Sequence, residues 1–310
     1  MTVAQAEAVI EDLLRPSQAR LFGAPAWMPE GTFDVVALGV PSDTGNLGSP
    51  RSAAAGVPVL RGASRMFPYR LDEHKRPVGW YDYERARPLL SGVRLADAGD
   101  LMIDRYDPTA ALDRLPEVLR ALKRTARLVL ILGGDHAITH WTAGALPDDS
   151  RVVLFDAHED ATAITGPLPH AGNVARFLER RANVASILQY GLRGLVPGDR
   201  APPAPHRVLC ADADALAAAC VRTAGAATLL SIDVDVISPE ILRAVAAPSP
   251  GGLHPRELAA AAAAIGRSGG RVQYLEIAEF APGPSEDPLA AMTLMQLVVR
   301  LLDACLEAPS

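Results

Sequence analysis

The segment VVLFDAHEDA, residues 152–161, places three potential metal ligands directly after a run of apolar, strand-forming residues. Side chains alternate in an extended chain, so Asp156, His158 and Asp160 would point the same way, each about 7 Å from the next. Side chains at that spacing can reach two metal ions about 3.5–4 Å apart. The motif alone indicates either a metal site or solvated polar residues at the end of a strand.

Two further apolar runs end in residues of the same types. SIDVDVISP (231–239) carries Asp233 and Asp235, and LVLILGGDHAIT (128–139) runs through two glycines into His136. In a parallel sheet the carboxyl ends of strands share one edge, so the three clusters are expected to meet there. Two imidazoles and four carboxylates suit a divalent ion of intermediate hardness, with Mn²⁺ ahead of Zn²⁺ or Mg²⁺. The resulting negative charge predicts a small cationic ligand.

Strand-like and helix-like segments alternate along the whole chain, which predicts an α/β fold. The predicted strands are 33–40, 93–97, 127–132, 151–157, 183–191, 207–211, 227–236 and 271–279, and the predicted helices are 52–65, 109–126, 136–146, 172–182, 212–222, 255–267 and 287–306. Several strands are continuously apolar, as in sheets covered on both faces. We expect a single-domain three-layer α/β/α architecture over residues 1–310, with a mostly parallel, roughly eight-stranded sheet. Residues 1–30 are expected to form an N-terminal helical extension, and residues 67–92 have no clear pattern.

Composition excludes several classes of protein. The chain has 310 residues, 49% of them hydrophobic, and a formal net charge of −6 with scattered arginines, which argues against a nucleic-acid partner. The three cysteines have no CxxC spacing, which favours a reduced, cytoplasmic setting. The N-terminus lacks the pattern of a secretory signal, and no uninterrupted apolar run approaches the roughly 18 residues of a membrane span. We therefore expect a soluble cytoplasmic protein.

The segments GGDH, DAHED and SIDVD, in this order and spacing, resemble the three metal motifs of the ureohydrolase family, which includes arginase and agmatinase. The resemblance extends from about Leu38 to Leu302. It implies two Mn²⁺ ions per chain, hydrolysis of a guanidino compound to urea and an amine, and assembly into a trimer or hexamer. By the same resemblance, one ion would be held by His136, Asp156, Asp160 and Asp233, and the other by His158, Asp156, Asp233 and Asp235.

The resemblance also implies catalytic roles. Asp160 would orient the nucleophile, and the glutamate of YLEIAEFAP, taken as Glu276, would bind the guanidinium group. His170, in the loop ATAITGPLPHAGN, would pass a proton to the leaving amine, although a packed loop histidine is the alternative. His140 is interpreted not as a ligand but as packed or in contact with the ligands, because Ala137 stands where an HExxH zinc motif needs its glutamate.

Departures from the family pattern point to a divergent, agmatinase-like member. Ala161, Thr162 and Ala163 follow Asp160, so the polar clamp for free L-arginine is not recognisable. Further departures are Ala137, Glu159, Ser238 and Glu279. Arg51 is assigned either to a substrate carboxylate or to bracing its loop.

We expect an agmatine-like or guanidino-acid substrate. A tailoring amidinohydrolase acting on a larger guanidino metabolite is the alternative. Two other hypotheses compete with this one. The first is a deacetylase-like hydrolase that uses one zinc ion, and the second is a metal-bound, non-catalytic subunit with a role in assembly or regulation.

Overall fold

Apolar runs form one central sheet in the computed structural model, which describes residues 12–268, 271–283 and 288–307. The strands in this part of the chain are β1 (Leu14–Arg15), β2 (Phe33–Val40), β3 (Trp80–Asp82), β4 (Arg87–Leu89), β5 (Leu95–Leu101), β6 (Ala126–Gly133), β7 (Ser150–Phe155), β8 (Val184–Tyr190), β9 (Arg207–Cys210), β10 (Ala227–Asp233) and β11 (Arg271–Ala278). Nine of them pair in the order β1-β5-β2-β6-β11-β10-β7-β8-β9, and β3 and β4 form a separate hairpin. Neighbours in the large sheet are parallel except β1 and β5, which are antiparallel.

Helices cover both faces of this sheet. Their bounds are α1 (Gly56–Ser64), α2 (Pro108–Lys123), α3 (Ile138–Ala143), α4 (Val174–Leu178), α5 (Ala213–Arg222), α6 (Pro255–Arg267) and α7 (Pro288–Leu306). Alternate strand residues face opposite layers: Leu128 and Leu130 pack in one core with α1 and α5–α7, and Val129 and Ile131 pack in the other with α2–α4. The predicted three-layer α/β/α class is confirmed.

All eight predicted strands are present in the large sheet, with bounds that differ by a few residues. The ninth strand, β1, is a two-residue edge strand, too short to leave a pattern in the sequence. Residues 1–11 of the predicted helical extension lie outside the described part of the chain. From Leu14 onward this segment forms β1 and a 3₁₀ turn at Leu21–Gly23, so it is not one continuous helix. Pro16 and Pro25 interrupt any helical run there.

The unassigned segment 67–92 contains the β3–β4 hairpin, which is attached to the last helix by ion pairs. Arg300 of α7 donates to Asp82 at 2.8 Å, and Arg87 donates to Asp303 at 2.6 Å. By length and composition, helix α7 is the one helix among the described residues that could cross a membrane. However, 61% of its apolar window is buried inside the protein, as in a core helix.

The four strands at the centre of the sheet, β6, β11, β10 and β7, end side by side. The predicted metal motifs follow β6 and β7 and close β10, so their residues meet at one edge. This is the edge at which ligands bind in open α/β sheets.

Candidate metal centre

A sharp turn after β6 presents His136 to the sheet edge. A Cβ atom at Gly134 would lie 1.8 Å from the carbonyl oxygen of Ser42, so only glycine fits where these two loops touch. Asp135 then accepts backbone hydrogen bonds from Gly45 at 2.8 Å and Ala137 at 3.0 Å. Burial and the nearby Glu279 carboxylate raise the pKa of Asp135 to about 8. These contacts fix the loop from which the fully buried His136 side chain projects.

One imidazole nitrogen faces three carboxylates. His136 Nδ1 lies 3.0 Å from Asp160 Oδ2, 3.2 Å from Asp156 Oδ2 and 3.5 Å from Asp233 Oδ2. The opposite nitrogen, Nε2, lies 3.1 Å from Ser231 Oγ. The three-carboxylate side of the ring therefore has the donor set of a divalent-cation site, while Ser231 contacts its other side.

A second group of ligand types shares Asp156 with the first. His158 Nδ1 lies 2.8 Å from Asp235 Oδ2, and Asp235 Oδ1 accepts from the Ala157 backbone at 3.1 Å. The ligand atoms within each group lie within 4.8 Å of one another. Asp156 Oδ2 is buried, and apart from its 3.2 Å approach to His136 Nδ1 it has no hydrogen-bond partner among the described residues. An unpartnered buried carboxylate oxygen between two clusters fits a site for metal ions.

Irregular backbone, rather than an extended strand, brings the aspartates together. Strand β7 stops at Phe155, and Asp160 adopts a left-handed conformation with φ of 47°. Asp235 lies in a 3₁₀ turn, and its backbone nitrogen donates to Asp233 Oδ1 at 2.8 Å. The alternation expected along residues 156–160 therefore does not persist, although the side chains still converge.

The cluster of carboxylates is electrostatically unfavourable without cations. Burial, then the neighbouring carboxylates, raise the pKa values of Asp156, Asp160 and Asp233. Burial alone would lower the pKa of His136, but its contacts with Asp156 and Asp160 raise it well above the usual value. The Asp235 carboxylate raises the pKa of His158 to about 9. Bound divalent cations would remove this repulsion, which favours metal over a set of shared protons.

A cavity of about 1250 Å³ opens onto this centre. Its inner end is lined by acidic residues, which are Asp135, Asp160, Asp233, Asp235 and Glu279. Its outer walls include Arg51, the segment 161–163, the loop 192–201 and the segment 246–250. A ligand of considerable size can therefore reach the metal ligands from solvent.

The two glutamates of the last strand segment lie in different places. Glu276, within β11, is fully buried and accepts hydrogen bonds from the hydroxyl groups of Thr139 and Thr142 at 2.5 Å and of Ser231 at 2.8 Å. It does not line the cavity, so its placement does not fit the predicted role of binding a guanidinium group. Glu279, one residue beyond β11, lines the cavity instead.

Glu279 is held tightly at the edge of the centre. Its Oε1 accepts the His136 backbone N–H at 2.7 Å, and its own N–H donates to the Gly134 carbonyl at 2.9 Å. Its φ of 63° is unusual for a residue other than glycine, and burial raises the pKa of its carboxyl group. Such left-handed residues occur preferentially at functional sites. Glu279 was not predicted from the sequence as a site residue, although ligands of α/β sheets bind beyond the ends of strands, where it lies.

The two histidines considered outside the metal motifs lie in different surroundings. His170 is half-buried next to the cavity wall, and its buried Nδ1 has no hydrogen-bond partner among the described residues. The adjacent Ala171 and Gly172 line the cavity. His140 packs edge-on against Trp141 and Phe177, with ring centroids 5.5 and 5.3 Å away, as the sequence reading expected.

The departures from the family pattern mostly contact the loops around the centre. Glu159 forms ion pairs with Arg200 and Arg207, both at 2.9 Å. The backbone nitrogen of Ser238 donates to the Leu253 carbonyl. Ala137 is fully buried beneath Gly45, where a Cβ atom would lie 2.4 Å from the Ala137 methyl group.

Comparisons with known proteins agree with this arrangement. The model of the "Arginase family" matches residues 33–303. Proclavaminate amidinohydrolase of Streptomyces clavuligerus is 29% identical over 259 residues, which are 77% of this chain and 77% of that protein. Agmatinase of Bacillus subtilis is 23% identical over 250 residues, covering 78% of this chain and 86% of the relative.

Solved structures share the fold. The S. clavuligerus proclavaminate amidinohydrolase structure superposes with a TM-score of 0.74 at 22% identity, covering 93% of this chain and 96% of its own. Formiminoglutamase of Trypanosoma cruzi, solved with Mn²⁺, superposes with a TM-score of 0.71 at 20% identity, covering 94% of this chain and 99% of its own.

Proposed function

Since the chain belongs to the arginase family and is an amidinohydrolase that acts on C–N bonds of linear amidines, we propose that it releases urea from a guanidino compound and leaves an amine. We propose further that the reaction depends on two Mn²⁺ ions at the sheet edge. The observation that carries this proposal is the convergence of three carboxylates on His136 Nδ1, next to the unpartnered Asp156 oxygen.

The proposed ligand sets follow the two clusters. His136, Asp156, Asp160 and Asp233 would hold one ion, and His158, Asp156, Asp233 and Asp235 the other. When bound, the two ions supply a water-derived nucleophile that is available near neutral pH. Oxygen-rich sites with two imidazoles favour Mn²⁺ on chemical grounds.

Glu279 is proposed to orient the substrate. Its carboxylate lies at the cavity side of the centre and can accept hydrogen bonds from two guanidinium N–H groups. Charged hydrogen bonds are strong in such a buried place, because little water competes for them. This role replaces the one assigned to Glu276 from the sequence.

Asp160 is proposed to orient the nucleophile, and His170 is proposed to donate a proton to the leaving amine. Asp160 lies at the cavity surface of the centre and would hold the attacking group in line with the guanidinium carbon. The leaving amine needs a proton, which a neighbouring imidazole can deliver. The His170 imidazole is the proposed donor, because the next two residues, Ala171 and Gly172, line the cavity.

The cavity volume favours the alternative of a larger guanidino substrate. Pockets for small ligands commonly hold about 300–1000 Å³, and this cavity of about 1250 Å³ exceeds that range. A tailoring amidinohydrolase that acts on a larger guanidino metabolite is therefore the second candidate. The single-domain organisation of residues 1–310, the cytoplasmic location and assembly as a trimer or hexamer stay predictions.

A urea-release assay combined with metal analysis tests the proposed function. Purified protein saturated with Mn²⁺ and then desalted is expected to retain close to two ions per chain and to release urea and amine in equal amounts. The substrates should include agmatine, 4-guanidinobutyrate, 3-guanidinopropionate and L-arginine. One retained ion would favour the deacetylase-like reading. Two ions without urea from any guanidino compound would favour the non-catalytic subunit.

A further inference from the structure

We propose that Arg51 binds a carboxylate at the far end of the substrate, so that this site takes guanidino acids in preference to guanidino amines. The inference rests on the proposed function, in which Glu279 binds the guanidinium group. It names the chemical class of the substrate at the same site.

Four arginines line the cavity, and three of them are engaged by the protein itself. Arg193 donates to the backbone carbonyl groups of four residues. Arg176 donates to three backbone carbonyl groups and to the Glu179 carboxylate. Arg200 donates to both oxygens of Glu159. Arg176 and Arg193 use all three guanidinium nitrogens in these contacts, and the charge of Arg200 is paired with that of Glu159.

Arg51 differs from the other three arginines. Its one side-chain hydrogen bond among the described residues runs from Nη1 to the Ala281 carbonyl oxygen, at 3.1 Å. No carboxylate in the described part of the chain forms an ion pair with it. A guanidinium group has five N–H donors, so most of those on Arg51 are unmatched by these contacts. The side chain is half-buried in the cavity wall, where its hydrogen bonds to an anion would be stronger than in bulk water.

The position of Arg51 relative to Glu279 limits the length of the substrate. Ala281, which accepts from Arg51, is two residues beyond Glu279, a separation of at most about 7 Å between Cα atoms. Arg51 and Glu279 therefore lie near each other in the wall of the same cavity. A substrate that contacts both groups therefore needs only a short carbon chain between its guanidinium group and its carboxylate.

Charge distribution separates acids from amines. The buried end of the cavity is acidic and attracts the guanidinium group, while Arg51 adds to the wall a positive charge that forms no ion pair with a described carboxylate. A guanidino acid matches both ends. Agmatine would place its terminal ammonium group beside a second cation, which is unfavourable in a partly desolvated site.

Steady-state kinetics of the Mn²⁺-saturated enzyme tests Arg51. We would compare 4-guanidinobutyrate, its uncharged amide and agmatine as substrates for the wild type, Arg51→Gln and Arg51→Lys. Arg200→Gln is the matched control, because it removes a positive charge from the same cavity wall. Thermal unfolding and Mn²⁺ content would verify that each variant is folded and metal-saturated.

The wild type is expected to prefer the acid. Arg51→Gln should lower kcat/KM for 4-guanidinobutyrate by at least about tenfold, mainly through KM, with little change for the amide. Arg51→Lys should recover only part of this loss, because it lacks the planar pair of donors. Arg200→Gln should leave the ratio of acid to amide unchanged.

Two results would overturn the assignment. An equal loss for acid, amide and agmatine in Arg51→Gln would mean that Arg51 only braces its loop through Ala281. A wild-type preference for agmatine would exclude an acid-binding role. If the wild type released no urea from any of these compounds, the proposed function would fail instead. Calorimetric binding of 4-guanidinobutyrate and its amide to the wild type and Arg51→Gln would then test Arg51 alone, since an affinity for the acid that Arg51→Gln does not reduce contradicts the proposal.

Discussion

Glu276 and His136 are connected through a single hydroxyl group, that of Ser231. Ser231 Oγ donates to Glu276 Oε1 at 2.8 Å and lies 3.1 Å from His136 Nε2. Thr139 and Thr142 donate to the same carboxylate, so Glu276 anchors a fully buried set of hydroxyl groups behind the metal centre. This arrangement fixes the imidazole ring so that its Nδ1 faces the aspartates.

A Glu276→Gln variant is therefore expected to weaken metal binding rather than substrate binding. Partners that orient a metal-bound histidine typically contribute about 10–100-fold to metal affinity. Mn²⁺ titration by calorimetry should show a loss of this size, with KM for the guanidino substrate nearly unchanged at saturating Mn²⁺. A large increase in KM with unaltered metal affinity would return Glu276 to the guanidinium-binding role.

A Glu279→Gln variant should show the opposite behaviour. Loss of a charged acceptor for the guanidinium group is expected to lower kcat/KM by roughly 10–100-fold, because hydrogen bonds to charged groups contribute about 1.5–3 kcal/mol. Both Mn²⁺ ions should remain bound, which metal analysis would check. Unchanged kinetics would remove Glu279 from the substrate site.

Sheet register explains why Glu279, and not Glu276, lines the cavity. Glu276 pairs with Ser231, two residues before Asp233 along the neighbouring strand, so it lies below the plane of the metal ligands. Asp233 is level with Ala278, and only the next residue, Glu279, reaches the edge. Register between β10 and β11 is a tertiary property that neither strand's own pattern contains.

The ligand clusters themselves were predictable from sequence, because they follow buried strands whose apolar patterns are strong. The reason for their convergence was only partly predictable. Asp160 reaches His136 through a left-handed turn, not through strand alternation. The placement of the His170 loop was not predictable either, because it depends on a hydrogen bond from the Ala171 backbone to the distant Gly45 carbonyl. Such long-range loop contacts leave no periodic signal.

A His170→Ala variant is expected to slow turnover while both metal ions stay bound. General acid catalysis contributes typically about 10²–10⁴-fold, so kcat should fall by an amount in this range. His74→Ala is a suitable control, because the His74 side chain is 65% exposed. A rate equal to that of the control would show that His170 only supports the loop.

His140 should make the folded protein sensitive to mild acid. Burial, together with the nearby Arg181, lowers its pKa to about 4, whereas an unfolded chain has a histidine pKa of about 6.5. The unfolded state therefore binds the proton more readily, and stability present above about pH 6.5 is lost as the pH falls toward 4.

A His140→Phe variant keeps the ring packing but removes this titration. Between pH 7.5 and 5.5 the wild type should lose about 1 kcal/mol more unfolding free energy than the variant. Denaturant unfolding at both pH values, with saturating Mn²⁺ in each sample, measures the difference. Equal losses of unfolding free energy in the two proteins would mean that folding does not lower the pKa of His140.

The pair of metal ions is the central claim, and Asp160 tests it most directly. Wild-type protein desalted after Mn²⁺ saturation should retain close to two ions per chain and release urea, and chelation should abolish activity until Mn²⁺ is restored. Asp160→Ala should lose turnover and much of the occupancy of one ion, because it removes one of the carboxylates facing His136 Nδ1. Elemental analysis of both proteins, with urea assayed on the same samples, decides the matter. Urea release by a metal-free wild type, or a wild type that retains no Mn²⁺, would contradict the account.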